Sequence, residues 1–524
     1  MANDGRVTVR EATLALLRAY GMTTIFGNPG STELPMFRDF PDDFRYVLGL
    51  QESVVIGMAD GFAQATRNAA LVNLHSAAGT GHAMGNIFTA WKNRTPLVVT
   101  AGQQARSILP YDPFLFAQDA AAFPKPYVKW SIEPARAEDV PAAIARAYHI
   151  AMQPPCGPTF VSIPVDDWDR MCDPVEIRRL GRGRPGDPVL LDEAAVGLAQ
   201  AERPAFVVGA GVALDQAWDA VIALAERHEA RVFVSPHAAR NSFPEDHRLF
   251  AGHLPAFREP IVKALAGHDL LLVLGAPLFT YHAEGFGPHV PEGTTAWLIV
   301  DDPEQAAWAP TSTAIVGTLR LSIERLLEGP APRPRSAPAP RALAAAIQLE
   351  GGLTDAYLMQ RIAALRPADA RFVEEAPSSR GAMQQNLPIT MPDGFFTCAS
   401  GGLGHGLPAS VGVALGSPGR KTIGIIGDGS AMYAIQALHA AAQLGVDLSV
   451  IIVNNGRYEA LIHFGRTFGL QQTVGTRLPG LDFVALAEGQ GMPAARVDTV
   501  DALDDALRTL FDTPGPRLLE VVVD

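Results

Sequence analysis

Short apolar runs alternate with amphipathic stretches along most of this chain. Over the first hundred residues, β-rich runs at 23–26, 45–48, 70–74 and 97–100 are separated by stretches of helical spacing such as 52–66. Runs that are apolar without alternation suit strands covered on both faces, so the pattern predicts a parallel sheet with helices on each side. Thr8-Val9-Arg10-Glu11 has the spacing of a capping box and predicts an amphipathic helix through Tyr20, with Gly21 placed to end it. The alternation resumes near residue 205 and again after about residue 352. A Gly, Arg and Pro-rich stretch at 181–188 and a Pro-rich stretch at 329–340, which should be extended, separate the three units.

Length agrees with that division. A chain of 524 residues exceeds what one core serves, since cores stop growing beyond about 250 to 300 residues. The predicted fold class is therefore α/β, with three doubly wound parallel-sheet, Rossmann-like domains over 1–180, 190–328 and 345–524. Hydrophobic residues make up 48% and charged residues 19%, the composition of a large buried globule rather than a disordered chain. The net charge of −13, without a clustered Lys/Arg face, argues against a nucleic-acid partner. An acidic protein that binds an anion must use local dipoles or a metal. Three cysteines without CxxC spacing indicate neither a disulfide framework nor a zinc site. With no long uncharged apolar run and no apolar leader, no membrane partner is expected, and a cytoplasmic location is.

Ligands bind at the carboxyl ends of strands in open α/β sheets, so the turns there are the candidate chemistry. In the first unit they hold Gly27-Asn28-Pro29-Gly30-Ser31, Gln51-Glu52 and His75-Ser76-Ala77-Ala78-Gly79. In the third unit an apolar strand at 422–426 feeds Gly427-Asp428-Gly429-Ser430, and a second at 448–453 delivers Asn454-Asn455. The Asp428 carboxylate, the Asn455 amide oxygen and a main-chain carbonyl at Arg457 would give Mg²⁺ three hard oxygen ligands, leaving diphosphate and water to complete an octahedron. Gly427 and Gly429 let backbone approach the phosphates. The plainer reading is two ordinary strand-to-helix turns with Asp428 as a cap. Two strands framing both motifs make the pattern the signature of a thiamin diphosphate site. Glu52 opens an apolar helix, so its carboxyl should be partly buried and able to share a proton with the cofactor's pyrimidine; its plainer role is complementing the helix dipole. Gly209-Ala210-Gly211 is half of a dinucleotide fingerprint and reads as a relic or tight turn rather than a site for NAD.

Several segments carry a family resemblance: Phe26-Gly27-Asn28-Pro29-Gly30-Ser31, Asn73-Leu74-His75-Ser76-Ala77-Ala78-Gly79-Thr80-Gly81, Val99-Thr100-Ala101-Gly102-Gln103-Gln104, Gly275-Ala276-Pro277, Gly401-Gly402-Leu403-Gly404 and Gly427-Asp428-Gly429-Ser430. Through them the chain resembles the thiamin diphosphate-dependent 2-oxo acid decarboxylases, the benzoylformate decarboxylases above all. The resemblance implies the thiamin diphosphate-binding fold: a pyrimidine-binding domain over 1–180, a middle domain without flavin over 190–328 and a diphosphate-binding domain over 345–524. It implies thiamin diphosphate and Mg²⁺, with Ca²⁺ able to take the metal's place. It also implies a homo-oligomer with active sites at the dimer interface, two dimers forming a tetramer, so that Glu52 of one chain meets cofactor held by Asp428 and Asn455 of another.

The roles it implies are specific. Ser31 binds the substrate carboxylate, His75 and His282 transfer protons, and Leu403 wedges the cofactor. Ser378, Ser379, Gly401, Gly429, Ser430, Tyr433 and Tyr458 line the cofactor, while Phe464, Phe114, Leu115 and Thr397 wall the substrate pocket. The implied reaction is non-oxidative decarboxylation of an aryl 2-oxo acid, benzoylformate-like, to the aldehyde and CO₂. Thr397 stands where an aromatic residue is expected and Phe114 where an aliphatic one is; His405 and His463 also replace expected aromatics. A flavin-containing carboligase of the acetolactate synthase type is the nearest alternative, supported by the half fingerprint. A non-catalytic cofactor-binding protein is the other, opposed by the joint presence of Glu52, His75 and His282. A hydrolase has no support, since neither a G-x-S-x-G elbow nor HExxH spacing occurs.

Overall fold

The computed structural model describes residues 5–524 and contains three six-stranded parallel sheets, each covered by helices. The capping box forms: Thr8 Oγ1 accepts the Glu11 N–H at 3.2 Å, the Glu11 carboxylate accepts the Thr8 N–H at 2.8 Å, and helix Val9–Ala19 follows. In the first unit the strands lie side by side as Arg45–Leu48, Thr24–Gly27, Ala70–Leu74, Leu97–Gln103, Thr159–Pro164 and Ser131–Ile132. In the third they lie as Phe395–Thr397, Arg371–Glu375, Thr422–Gly427, Leu448–Asn454, Arg517–Val522 and Ala494–Val497. Counted within each unit, both orders read 2-1-3-4-6-5. Strand order therefore reverses between the first and third strands, and the crevice outside their carboxyl ends is where such sheets take ligands.

The middle sheet has a different order. Phe250–His253, Arg231–Val234, Pro204–Val208, Leu270–Leu274, Thr295–Val300 and Thr313–Val316 read 3-2-1-4-5-6, the order of dinucleotide-binding sheets. Its glycine turn is tied down by its own chain, because the N–H groups of Gly209 and Gly211 donate to the carbonyls of Leu274 and Gly275. The unit begins before its first strand. Asp187 caps helix Pro188–Gln200 by accepting two N–H groups, with Pro188 in the first turn where its missing N–H costs nothing. Among the described residues no helix is long and apolar enough to cross a membrane.

Helix Glu52–Thr66 of the first unit packs along helix Gly406–Leu415 of the third. Two glycines permit it: a Cβ at Gly61 would collide with the Ala409 backbone, and one at Gly412 with the Met58 carbonyl. Val54, Ile56 and Met58 consequently share one apolar cluster with Leu407, Val411 and Ile426. The first and third units thus have a common core within a single chain.

Candidate active site

At the carboxyl ends of strands Thr422–Gly427 and Leu448–Asn454 lies a cavity of about 460 Å³. Asp428, Gly429 and Ser430 enter it from the first of these strands, and Asn455, Arg457 and Tyr458 from the second. Ser378, Ser379, Gly401, Leu403 and Tyr433 also line it from the third unit, while His282 reaches in from the middle unit. Asp428 is buried. Its Oδ1 accepts the Gly429 N–H at 2.6 Å, and Oδ2 is buried without a hydrogen-bond partner among the described residues. Burial pushes this carboxyl above the usual range, against the pull of N–H groups at Gly429 and the 455–457 turn. A buried carboxylate oxygen with nothing to bind costs free energy that a cation would recover.

The two asparagines divide their work. Asn454 Nδ2 donates to Glu520 at 2.6 Å and its Oδ1 accepts the Gly456 N–H at 3.0 Å, which shapes the turn. Asn455 instead lines the cavity, its Oδ1 accepting the Arg457 N–H at 3.1 Å. Among the described residues no three His, Cys, Asp or Glu side chains cluster as a metal site, so a cation here would draw on one carboxylate, one amide oxygen and main-chain carbonyls. That hard, oxygen-only set fits Mg²⁺ or Ca²⁺. Gly429 faces the Tyr458 ring so closely that a Cβ would overlap it. Ser378 Oγ accepts the Ala460 N–H at 3.2 Å, fixing the start of helix Glu459–Thr467. On that helix Phe464 lies 4.2 Å from the His282 ring between ring centroids, with Phe257 and Phe468 beyond it, so the cavity's far wall is aromatic.

The first unit presents a second group of candidates, and none of them lines this cavity in a single chain. Glu52 is the first residue of its helix, with its side chain 12% exposed and Oε2 3.1 Å from His82 Nδ1. Ser31 is exposed. It precedes only the short 3₁₀ turn Leu34–Phe37 and not a full helix. His75 stands at the N-terminal boundary of helix Ser76–Asn93 without capping it, its ring partly exposed and its Nδ1 2.8 Å from Glu33 Oε2 and 3.2 Å from Thr32 Oγ1.

Glu33 is a residue that sequence reasoning missed. It is buried and accepts the Gly30 N–H at 2.9 Å, the Thr32 hydroxyl at 2.6 Å and the Gly102 N–H at 2.9 Å. A carboxylate so held directs the His75 Nδ1–H inward and leaves Nε2 free to face outward. The available signal was a Glu two positions after Ser31 in a turn already suspected of chemistry.

Substrate-pocket candidates are scattered in the protomer. Phe114 is 86% exposed and Leu115 half-buried, both on an irregular segment of the first unit. Thr397 is buried away from the cavity: its hydroxyl donates to the Glu374 carbonyl at 2.7 Å and accepts from Arg380 at 2.8 Å, and it lines a separate space of about 170 Å³. The Arg380–Glu374 ion pair claims the Thr397 oxygen, which is why it faces away. His463 is exposed and pairs with Glu459 at 3.1 Å, whereas His405 is fully buried against Asp60.

Comparison with known proteins gives a family for the whole chain. Models of the thiamine pyrophosphate enzymes match in three parts: the N-terminal TPP binding domain over 7–121, the central domain over 191–326 and the C-terminal TPP binding domain over 377–521. The benzoylformate decarboxylase of Pseudomonas aeruginosa is 45% identical over 98% of both chains. Among solved structures, the benzoylformate decarboxylase of Polynucleobacter necessarius superposes with a TM-score of 0.95 at 38% identity, covering 98% of both chains. The thiamine diphosphate-dependent 4-hydroxybenzoylformate decarboxylase of Rhodococcus jostii gives 0.95 at 41% identity, covering 99% of both.

Proposed function

The chain belongs to the thiamin diphosphate-dependent decarboxylases, and from that premise we propose that it removes CO₂ from an aryl 2-oxo acid of the benzoylformate type, using Mg²⁺ to anchor the cofactor. One observation carries the reading: a single cavity is lined both by Asp428, whose Oδ2 is buried and unpartnered, and by the aromatic pair Phe464 and His282. Asp428, Asn455 and the Arg457 carbonyl would hold the cation, with Ca²⁺ able to replace it. Gly429, Ser430, Ser378, Ser379, Gly401, Tyr433 and Tyr458 would surround the cofactor, with Leu403 against its rings.

When bound, the cofactor supplies the electron sink that receives the bonding pair released as CO₂ departs. The protein does the rest. Glu52 shares a proton with the cofactor's pyrimidine, and Ser31 hydrogen-bonds the substrate carboxylate. His75, oriented by Glu33, presents Nε2 to the substrate oxygen, and His282 faces it from the middle unit. Between them they protonate that oxygen, deliver the proton that replaces CO₂ on the carbonyl carbon, and take the oxygen's proton back as the aldehyde leaves, acid–base catalysis worth typically about 10² to 10⁴-fold. Since Glu52, Ser31, His75, Phe114 and Leu115 lie outside the cavity of their own chain, a second copy would supply them. The working unit is then a dimer, two of which form the tetramer.

A panel of 2-oxo acids from pyruvate to ring-substituted benzoylformates, assayed with and without thiamin diphosphate and Mg²⁺, tests the reading. Benzoylformates should be consumed fastest, with aldehyde as product and full dependence on both additions. Preference for pyruvate with an acetohydroxy acid as product would replace it with the carboligase reading.

A further inference from the structure

The mechanism above leaves unused a charged pair buried between the first and third units. Asp60, on helix Glu52–Thr66, and His405, just before helix Gly406–Leu415, have side chains that are 0% exposed, with His405 Nε2 3.3 Å from Asp60 Oδ2. Asp60 Oδ1 also accepts from Thr95 Oγ1 at 2.9 Å and from Gln64, and Oδ2 from Asn93 at 3.3 Å. A carboxylate ringed by donors is held as the anion. On the opposite side, Glu375 accepts the N–H groups of Gly404 at 2.7 Å, of His405 at 2.8 Å and of Gly406. His405 therefore lies between two buried carboxyls. Two guanidinium groups face this cluster: Arg240, which reaches Gln64 Oε1 at 3.3 Å, and Arg380, which pairs with Glu374 and is within electrostatic reach of Glu375. Burial works against charge on His405, but Asp60 and Glu375 outweigh it and hold its pKa above the ordinary value.

The same seam contains a row of polar contacts. Asn86, Thr89 and Asn93 share one face of helix Ser76–Asn93. Asn86 Nδ2 donates both to the Ser53 carbonyl at 2.7 Å and to the Gly404 carbonyl at 3.1 Å. Thr89 Oγ1 meets Ser400 Oγ at 2.8 Å, and Asn93 Oδ1 accepts the Ala399 N–H at 2.8 Å. All of these grip residues 399–405, the segment that carries Gly401 and Leu403 to the cavity.

We infer that Asp60 and His405 are positioning residues: their ion pair clamps segment 399–405 against the first unit and so fixes Leu403 where the cofactor must rest. The inference builds on the reading of this cavity as the cofactor site. A neutral residue 405 of similar bulk would fill the space but leave the Asp60 anion buried without its cation, and breaking one partner of such a pair is far more damaging than replacing both.

Calorimetric titration of thiamin diphosphate with Mg²⁺ into wild type, H405F, D60N and the double variant tests this, with thermal unfolding of each cofactor-free protein as a control for folding. Each single variant should raise the cofactor Kd about tenfold, equivalent to about 1.4 kcal/mol, and the double variant should return to within about threefold of wild type. Because the His405 pKa is raised by folding, the clamp is present at low pH and is lost as pH rises through that pKa. Wild-type affinity should therefore fall on the alkaline side, and the double variant should lack the fall. Wild-type affinity in H405F, or losses that simply add in the double variant, would overturn the clamp. Failure of wild type to bind the cofactor would instead overturn the reading of the cavity. Should H405F not fold, Thr89→Val reads the same segment: about threefold weaker binding is expected, and unaltered binding counts against the clamp.

Discussion

The first and third units share one strand order, 2-1-3-4-6-5, yet their crevices differ. In the third, the turn after the third strand carries Asp428 and Gly429 and the turn after the fourth carries Asn455 and Arg457, and both close on a cavity within one chain. In the first, the turn after the third strand carries His75 and the one after the second precedes Glu52, while Phe114 and Ser31 stand exposed. One sheet edge is enclosed and the other is open. Identical topology thus supplies two platforms, and the loops decide which encloses a cavity and which displays its titratable side chains. Function lives in the turns grafted on a fold.

The sharpest way to break this comparison is to disable each platform separately. Asp428→Ala should lower kcat/KM by on the order of 10³-fold or more with the fold intact by circular dichroism, and excess Mg²⁺ should not rescue it. Glu52→Gln should lower kcat by about 10² to 10⁴-fold while calorimetry still detects cofactor binding. Co-expressing these two inactive chains should restore about a quarter of wild-type activity, because half of the statistical dimers are hybrids that regain one site assembled from an intact half of each chain. No recovery would mean that both halves must come from one chain. Glu33→Gln should cost about 10 to 100-fold in kcat by freeing the His75 ring, with KM little changed, as steady-state kinetics will show. Gly429→Ala sets a methyl against the Tyr458 ring and should weaken cofactor binding about tenfold, as calorimetric titration will show. Ser31→Ala is expected to have the smallest effect, a rise in KM of about five to tenfold from loss of one hydrogen bond to a charged group.

Much of this was legible in the sequence because it is local. The capping box needs four consecutive residues, strands announce themselves by apolar runs, and the Gly427 and Asn454 turns follow such runs directly. What was not legible depends on contacts between distant segments. Glu33 owes its importance to Gly102 and His75, each remote in sequence, and Thr397 turns away because Arg380 and Glu374 claim its hydroxyl. His405, standing where an aromatic ring was expected, is spent on Asp60 across a domain seam that no short motif reports. For Phe114 and Leu115 the missing information is of another kind, since their neighbours would belong to a second molecule.

The interlocked helices around Gly61 and Gly412 have a practical outcome for anyone dissecting this enzyme. Because the outer two units share one of their apolar clusters, neither should survive being expressed by itself, and heating should melt them in a single cooperative step. The central unit, with an interior largely its own, is the piece that protease trimming would release intact.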